Sequence, residues 1–396
     1  MTSGALLHAF RRGAWHPSLD TAPLPGDTAV RLALVPELVV AADRRRWDTV
    51  APALPAAPDD RRALLLTALD TFEDGVLDIG GLGPQSGAGF RAALWRTAGI
   101  PPALTDRWCG MLRAALTERP PPAHDGALAL VALPGNTFTC LAAVLDQVER
   151  SAAVWVRPSR REPLSAARLV AALLRAGWPA ERIALYPTVQ GALPGLIRRT
   201  DRQVVFGGSG LARSVTALPG LTLHGPGRGC ALVPARMPAD RAVEWLVPLI
   251  AADAGRFCSN VRTVVCAGPA EPLAARLAAA LDALDPVSLP LTVSREPGAA
   301  HHATRSVAER MRPGDRLLTR RPPVVAGPDG APCATPHLVL VGDGSEDPPE
   351  HPLIGHEVPF PFAAVVRASE RDAARIAAGS LFVYEPPQPA APRRTP

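Results

Sequence analysis

The pattern of apolar and polar positions changes character near residue 127. Before it, apolar residues recur at roughly i, i+3, i+4 in three segments: DDRRALLLTALDTF (59–72), SGAGFRAALWRTAG (86–99) and LTDRWCGMLRAALTE (104–118). That is the period of amphipathic helices. The run RPPPAHDG (119–126) then breaks the pattern. From 127 onward, short unbroken apolar runs alternate with helical periods. ALALVAL (127–133), AAVWVRPS (152–159), RIALYP (182–187) and RQVVFGGSG (202–210) read as strands. TFTCLAAVLDQVER (137–150), PLSAARLVAALLRAG (163–177) and GALPGLIRRT (191–200) read as the helices between them. Unbroken apolar strands joined by helices predict a parallel sheet covered on both faces. Ligands in such sheets gather at the carboxyl ends of the strands, which here means the PGN, RPSR and GGSG loops.

Beyond 220 the alternation is less regular. LHGPGRGCALVPA (223–235) reads as a glycine-rich turn into a strand, 241–255 as a helix, and VRTVVCAG (261–268) as a strand. A helix over 272–284, strands over 337–343 and 357–368, and a helix over 371–380 complete this half. Residues 1–60 carry short apolar bursts among Pro and Ala and receive no elements. The Pro-rich end of the chain reads as a disordered tail. No internal repeat is visible.

A chain of 396 residues is long enough for two domains and a sizeable core. With 47% apolar, 20% charged and only 5% aromatic residues, that core must be built mostly from Ala, Leu and Val. No apolar run reaches the roughly eighteen residues that cross a bilayer, and MTSGALLHAFRRGAW lacks a sustained apolar segment or cleavage site. The expectation is a cytoplasmic protein without a membrane partner. The chain has no lysine, which excludes a Walker-type phosphate lysine, a Schiff-base lysine and a lysine-bound pyridoxal phosphate. Its net charge of +5 is carried by scattered arginines, not interleaved with aromatics, which argues for anionic small molecules and against nucleic acid. The six cysteines form no CxxC pair and no metal spacing with histidine, so neither a metal site nor disulfides are expected.

One cysteine sits differently from the others. In GRFCSNVRTVV (255–265), Cys258 follows a glycine and precedes small polar residues and a β-branched run. It is either a buried cysteine packing as a small apolar residue or a nucleophile on a loop at the head of a strand. Four further segments bear on the choice: LPGN (133–136), VRPSR (156–160), FGGS (206–209) and EVPFP (357–361). Together, and in this order, the five segments resemble the aldehyde dehydrogenase superfamily over roughly residues 127–368.

The resemblance implies an α/β, aldehyde dehydrogenase-like fold of two parallel α/β domains with a cleft between them. A helical N-terminal segment and Rossmann-like cofactor domain would span 1–228, a catalytic thiol domain 229–385, and a disordered tail 386–396. It makes Cys258 the nucleophile, its thiol activated near a bound cationic nicotinamide. It makes Asn136 a side-chain donor to the oxygen of the tetrahedral intermediate, with the Cys258 N–H as second donor. Arg157, Ser159 and Arg160 would line the adenosine ribose, Gly208 and Ser209 the pyrophosphate, and Glu357 the nicotinamide ribose. The plain alternatives are a turn asparagine, a solvated arginine and an exposed glutamate.

Two departures from the family pattern carry the specific expectations. Members that oxidise aldehydes to acids place a water-activating glutamate ahead of the nucleophile. Here His224 takes that slot, and no carboxylate occurs over 202–238. The missing glutamate resembles acylating members, in particular the acyl-CoA reductase branch that includes the fatty-acid reductase of bacterial luminescence. In the ribose loop, Arg157 and Arg160 replace lysine and glutamate, and an arginine at the second position would pair with a 2′-phosphate. The expectation is an NADPH-dependent reductase, with NADH as the lesser alternative. Its substrate would be acyl-CoA or an acyl group on a carrier protein. An aldehyde dehydrogenase using His224 or a water chain as base is the second reading. A non-catalytic scaffold of the same fold is the third, because the chain stops soon after its last motif. A homo-oligomer is left open.

Overall fold

The computed structural model describes residues 5–50, 60–208, 210–211, 219–284, 295–327, 329–342 and 347–387. The chain forms two compact units, one of Met1–His224 with Ser294–Pro297 and the other of Gly225–Val293 with Gly298–Pro396. The parting falls between His224 and Gly225, while the resemblance implied one after Arg228.

The first unit is built on a seven-stranded sheet. Its strands in chain order are β1 (Ala9–Arg11), β2 (Ala14–His16), β3 (Leu128–Ala132), β4 (Ala153–Arg157), β5 (Ile183–Leu185), β6 (Arg202–Phe206) and β7 (Leu221–His224). Their spatial order is β7-β6-β3-β4-β5-β1-β2. The five strands from β7 to β5 are parallel, while β1 and β2 add an antiparallel edge. Every residue of β3 and β4 is buried, as the unbroken apolar runs require. The strand β7 and the edge drawn from the first 60 residues are elements that the sequence pattern did not yield.

After a first helix over Glu37–Val50, helices α1 (Arg61–Asp74), α2 (Gly87–Ala98) and α3 (Pro102–Thr117) precede the parallel strands. After β3 and β4 come α4 (Leu141–Arg150) and α5 (Leu164–Arg175). Helix α5 is buried almost all round, because α1 covers the face turned away from the sheet. Its Arg168, fully buried, donates to the carbonyls of Phe72 (2.6 Å), Gly75 (2.7 Å) and Gln85 (2.9 Å). These include carbonyls at the end of α1 that have no intrahelical donor. Phe72, Phe90, Trp108 and Phe138 form an edge-to-face cluster with ring centroids 5.2–6.2 Å apart. The helices thereby grip Phe138, two positions beyond Asn136, and fix where the β3 loop leaves the sheet.

The second unit has a six-stranded sheet. Its strands are β8 (Gly229–Val233), β9 (Val261–Cys266), β10 (Arg316–Leu317), β11 (His337–Leu340), β12 (Phe362–Arg367) and β13 (Val383–Tyr384), in the order β10-β11-β12-β9-β8-β13. All are parallel except β10. Helices α6 (Ala239–Ala251) and α7 (Glu271–Asp282) cover one face with Leu246, Ile250, Leu273 and Leu277. Helices α8 (Ala299–Ala308) and α9 (Glu370–Ala378) supply the other through Ala300, Val307 and Ile376, against Phe360, Phe362 and Val366. No described helix is long and apolar enough to cross a membrane.

Candidate active site

In the first unit the connections from β3 and β6 leave in opposite directions, so these neighbouring strands mark the switch point of the sheet. The loops at their carboxyl ends are the LPGN loop and Gly207–Gly208. Gly135 is required by a close approach: a Cβ there would lie 2.5 Å from Ser159 Oγ and 2.8 Å from Arg161 Cβ. Asn136 and Ser159 thus sit on touching loops after β3 and β4. Asn136 is half-buried and leads into a turn in which the Thr139 N–H donates to Thr137 Oγ1 at 3.1 Å. A Cβ on Gly208 would meet no described atom within 4 Å, whereas one on Gly207 would lie 2.3 Å from Leu211 Cδ2. Ser209, assigned to the pyrophosphate from sequence, lies outside the described residues, as does 388–396 of the expected tail.

The two arginines of the VRPSR loop part company. Arg157 is buried and donates to Thr188 Oγ1 (3.2 Å), the Thr188 carbonyl (3.5 Å) and Gln190 Oε1 (3.0 Å). Burial, and then the like charge of Arg160, lower its pKa to about 10. Its head is a clamp at the end of β4, and Arg160 is the exposed charge of the loop. His224 closes β7 and stacks on Phe206, with ring centroids 4.7 Å apart and planes 13° from parallel. Burial of the ring lowers its pKa, so the imidazole is neutral at pH 7.

The second unit brings Cys258, Gly227 and Glu357 together at the amino ends of β9, β8 and β12. The loop carrying Cys258 leaves α6 through an unusual turn. The pattern predicted helix to 255, but α6 ends at Ala251, and Asp253, Ala254 and Gly255 follow with φ of 53°, 56° and 67°. A left-handed non-glycine residue costs about 1–2 kcal/mol, so the surroundings must hold the turn. Asn260 does so with three hydrogen bonds. Its Nδ2 donates to the Leu249 and Ala252 carbonyls at 3.1 Å, and its Oδ1 accepts from the Phe257 N–H at 2.8 Å. Arg262, fully enclosed, donates to the Gly255 and Phe360 carbonyls. A Cβ on Gly255 would lie 2.4 Å from the Phe360 carbonyl carbon, so only glycine permits this approach.

Among the six cysteines, Cys109, Cys230, Cys266 and Cys333 are buried, Cys140 is half-buried, and Cys258 is exposed. Burial pushes the thiols of Cys109 and Cys266 up to about 12. The residue at 258 is open to solvent, yet protein around the sulfur and then the Glu357 carboxylate raise its pKa above the ordinary value. The Cys258 and Ser259 N–H groups and the charge of Arg262 pull the other way. The chain alone therefore keeps this thiol protonated at neutral pH. Glu357 Oε1 accepts from the N–H of Gly227 at 2.8 Å and of Arg228 at 3.4 Å. A Cβ on Gly227 would fall 1.9 Å from the Cys258 carbonyl oxygen.

Sequence reasoning missed Gly227, Asn260, Arg262 and Tyr384, whose hydroxyl donates to the Ser259 carbonyl at 2.8 Å. The signal for Asn260 was available: a short amide side chain two residues after the cysteine is well placed to bond nearby backbone. Nothing in the spacing pointed to Tyr384. Among the described residues, no group of three His, Cys, Asp or Glu could hold a metal ion.

No protein-family model matches the chain, and no curated relative matches it. Solved structures do. A putative aldehyde dehydrogenase from Burkholderia cenocepacia is 21% identical, with 94% of this chain and 85% of that one covered, at a TM-score of 0.74. A NAD-dependent benzaldehyde dehydrogenase from Corynebacterium glutamicum is 15% identical, with 96% and 89% covered, at 0.74. A 1-pyrroline-5-carboxylate dehydrogenase from Thermus with bound NAD is 17% identical, with 97% and 81% covered, at 0.70. The α/β fold of this chain is that of aldehyde dehydrogenases.

Proposed function

We propose that the chain is a nicotinamide-dependent oxidoreductase that reduces an acyl thioester, on CoA or a carrier protein, to an aldehyde through an acyl-enzyme on Cys258. One observation carries the reading: the thiol that the sequence singled out is the exposed one, on a loop held by Asn260, Arg262 and Gly227, beside Glu357. The names of the structural neighbours, one NAD-dependent and one with bound NAD, support a nicotinamide cofactor. The residues present fit such a group. In the first unit Ser159 and the exposed Arg160 offer a hydroxyl and a positive charge, and in the second Glu357 offers a carboxylate, one oxygen of which accepts from the Gly227 N–H. Ser209 completes the proposed set. The exposed Arg160 favours the 2′-phosphate of NADPH over NADH.

In this mechanism the Cys258 thiol gives up its proton and the thiolate adds to the thioester carbonyl. The carbon–sulfur bond to the carrier breaks, and the carrier leaves as a thiol. The Cys258 N–H donates to the oxygen as it becomes negative, with Asn136 as the second donor that the family resemblance implies, a contribution of about 3 kcal/mol for one such donor. When bound, the reduced nicotinamide supplies a hydride to the acyl carbon. The resulting thiohemiacetal oxygen re-forms its carbonyl, the bond to Cys258 breaks, and the aldehyde departs. With no carboxylate over 202–238, the chain offers no acidic side chain there to activate water against the acyl-enzyme.

The second reading, oxidation of an aldehyde to an acid, is favoured by the aldehyde dehydrogenase names of the neighbours and by the neutral imidazole of His224 as a base. A product assay separates the two. Aldehyde from acyl-CoA with NADPH, without acid from aldehyde with NAD(P)⁺, is the outcome expected. Acid formation alone would replace the first reading with the second.

A further inference from the structure

The final described strand does more than close the sheet. It grips both loops of the thiol site. The Leu381 N–H donates to the Gly227 carbonyl at 2.8 Å, and the Phe382 carbonyl accepts from the Cys230 N–H at 2.9 Å. Strand β13 then pairs with β8 through Val383 and Tyr384, and the Tyr384 hydroxyl reaches across to the Ser259 carbonyl. Leu381 and Val383 face solvent, while the Tyr384 ring packs against the core of this unit. To the loop the segment contributes hydrogen bonding, delivered to the residue next to the sulfur.

We infer that Tyr384 is a positioning residue for the Cys258 thiol: its hydroxyl, through the Ser259 carbonyl, holds the Ser259 N–H against the sulfur. The inference deepens the proposed function and rests on Cys258 being the reactive thiol. The Ser259–Asn260 peptide is held on its other edge by the Asn260 N–H, which donates to the Phe257 carbonyl at 3.2 Å, while the Asn260 side chain fixes Phe257 and the α6 end and Arg262 fixes Gly255. The Cys258 and Ser259 N–H donors to sulfur lie on the two peptides just before the Ser259 carbonyl. Anchoring that carbonyl by a phenol fixes the far side of Ser259 and keeps those donors aimed. The charged and titratable groups facing the thiol are Glu357 ahead of β12, Arg262 on β9 and Tyr384 on β13.

The test is iodoacetamide labelling of the full chain across pH 6–10, with each cysteine peptide quantified by mass spectrometry, for the natural chain, Tyr384→Phe and Val383→Ala. Tyr384→Phe removes one oxygen and keeps the ring, so folding is expected to persist and is checked by thermal melting. The loss of one hydrogen bond to an anion-holding loop should slow Cys258 labelling at pH 8 by about three- to tenfold and move its midpoint to higher pH. Val383→Ala should label as the natural chain does. Natural rate and midpoint in Tyr384→Phe, or an equal loss in Val383→Ala, would overturn the inference while leaving the thiol assignment standing. Cys258 labelling no faster than Cys266 in the natural chain would remove the proposed function itself, and this inference with it.

Discussion

Replacing Gly227 with alanine should displace the nucleophile without touching it. A Cβ built at this position lies 1.9 Å from the Cys258 carbonyl oxygen, 2.6 Å from its carbonyl carbon and 2.8 Å from its Cβ. Real carbons do not approach closer than about 3 Å, so one of the two loops must retreat by about 1 Å. Gly227 is held on the other side by its N–H to Glu357 and its carbonyl to Leu381, and the 258 loop is held by Asn260 and Arg262. Neither side can move without giving up hydrogen bonds. Overpacking of this kind costs about 1–3 kcal/mol of stability. A misplacement of about 1 Å at a reacting atom costs on the order of a hundredfold in rate. The assay is aldehyde formation from acyl-CoA and NADPH, read beside iodoacetamide labelling of Cys258 and a thermal melt. Gly227→Ala should lose roughly a hundredfold in turnover while remaining folded. Turnover and melting temperature both at the natural value would refute the reasoning, because the contact would then be absent in solution.

Three further outcomes are expected. Glu357→Gln removes a negative charge that raises the Cys258 pKa, so the pH midpoint of labelling should fall and labelling at pH 7 should speed up even as turnover drops; an unchanged midpoint would show the carboxylate to be too distant to act on the sulfur. Asn136→Ala should lower kcat by about a hundred- to a thousandfold with little change in KM, as for the loss of one oxyanion donor, and an effect confined to KM would count against that role. Arg160→Glu should weaken NADPH binding by more than tenfold and leave NADH nearly unaffected, measured by fluorescence titration, because it sets a carboxylate against the 2′-phosphate; equal losses for both would mean that this loop does not read the phosphate.

The parallel strands were legible because strands buried on both faces are largely apolar: β3 is so throughout, β4 up to Arg157, and β9 apart from Arg262 and Thr263. Strand β7 was not, since Leu221–His224 is half-exposed and boxed between glycines and a proline, which reads as turn. The end of α6 was overrun because Ala252–Gly255 has helical composition, and only contacts from Asn260 and Phe360 turn it left-handed. Cys258 could be singled out by its neighbours in sequence, but its loop is also placed by contacts from Gly227 and from Tyr384 on β13, far from it along the chain. The opposite fates of Arg157 and Arg160 were invisible for a similar reason. Whether an arginine is clamped depends on Thr188 and Gln190, at the end of a different strand.

The proposed reaction depends on a covalent bond at one sulfur. Full-chain protein mixed with acyl-CoA in the absence of nucleotide, then digested and weighed, should carry the acyl mass on the Cys258 peptide, and NADPH should clear it with release of one aldehyde per adduct. An acyl mass on Cys258 that NADPH does not discharge, or no adduct at that residue while the protein is folded, would contradict it.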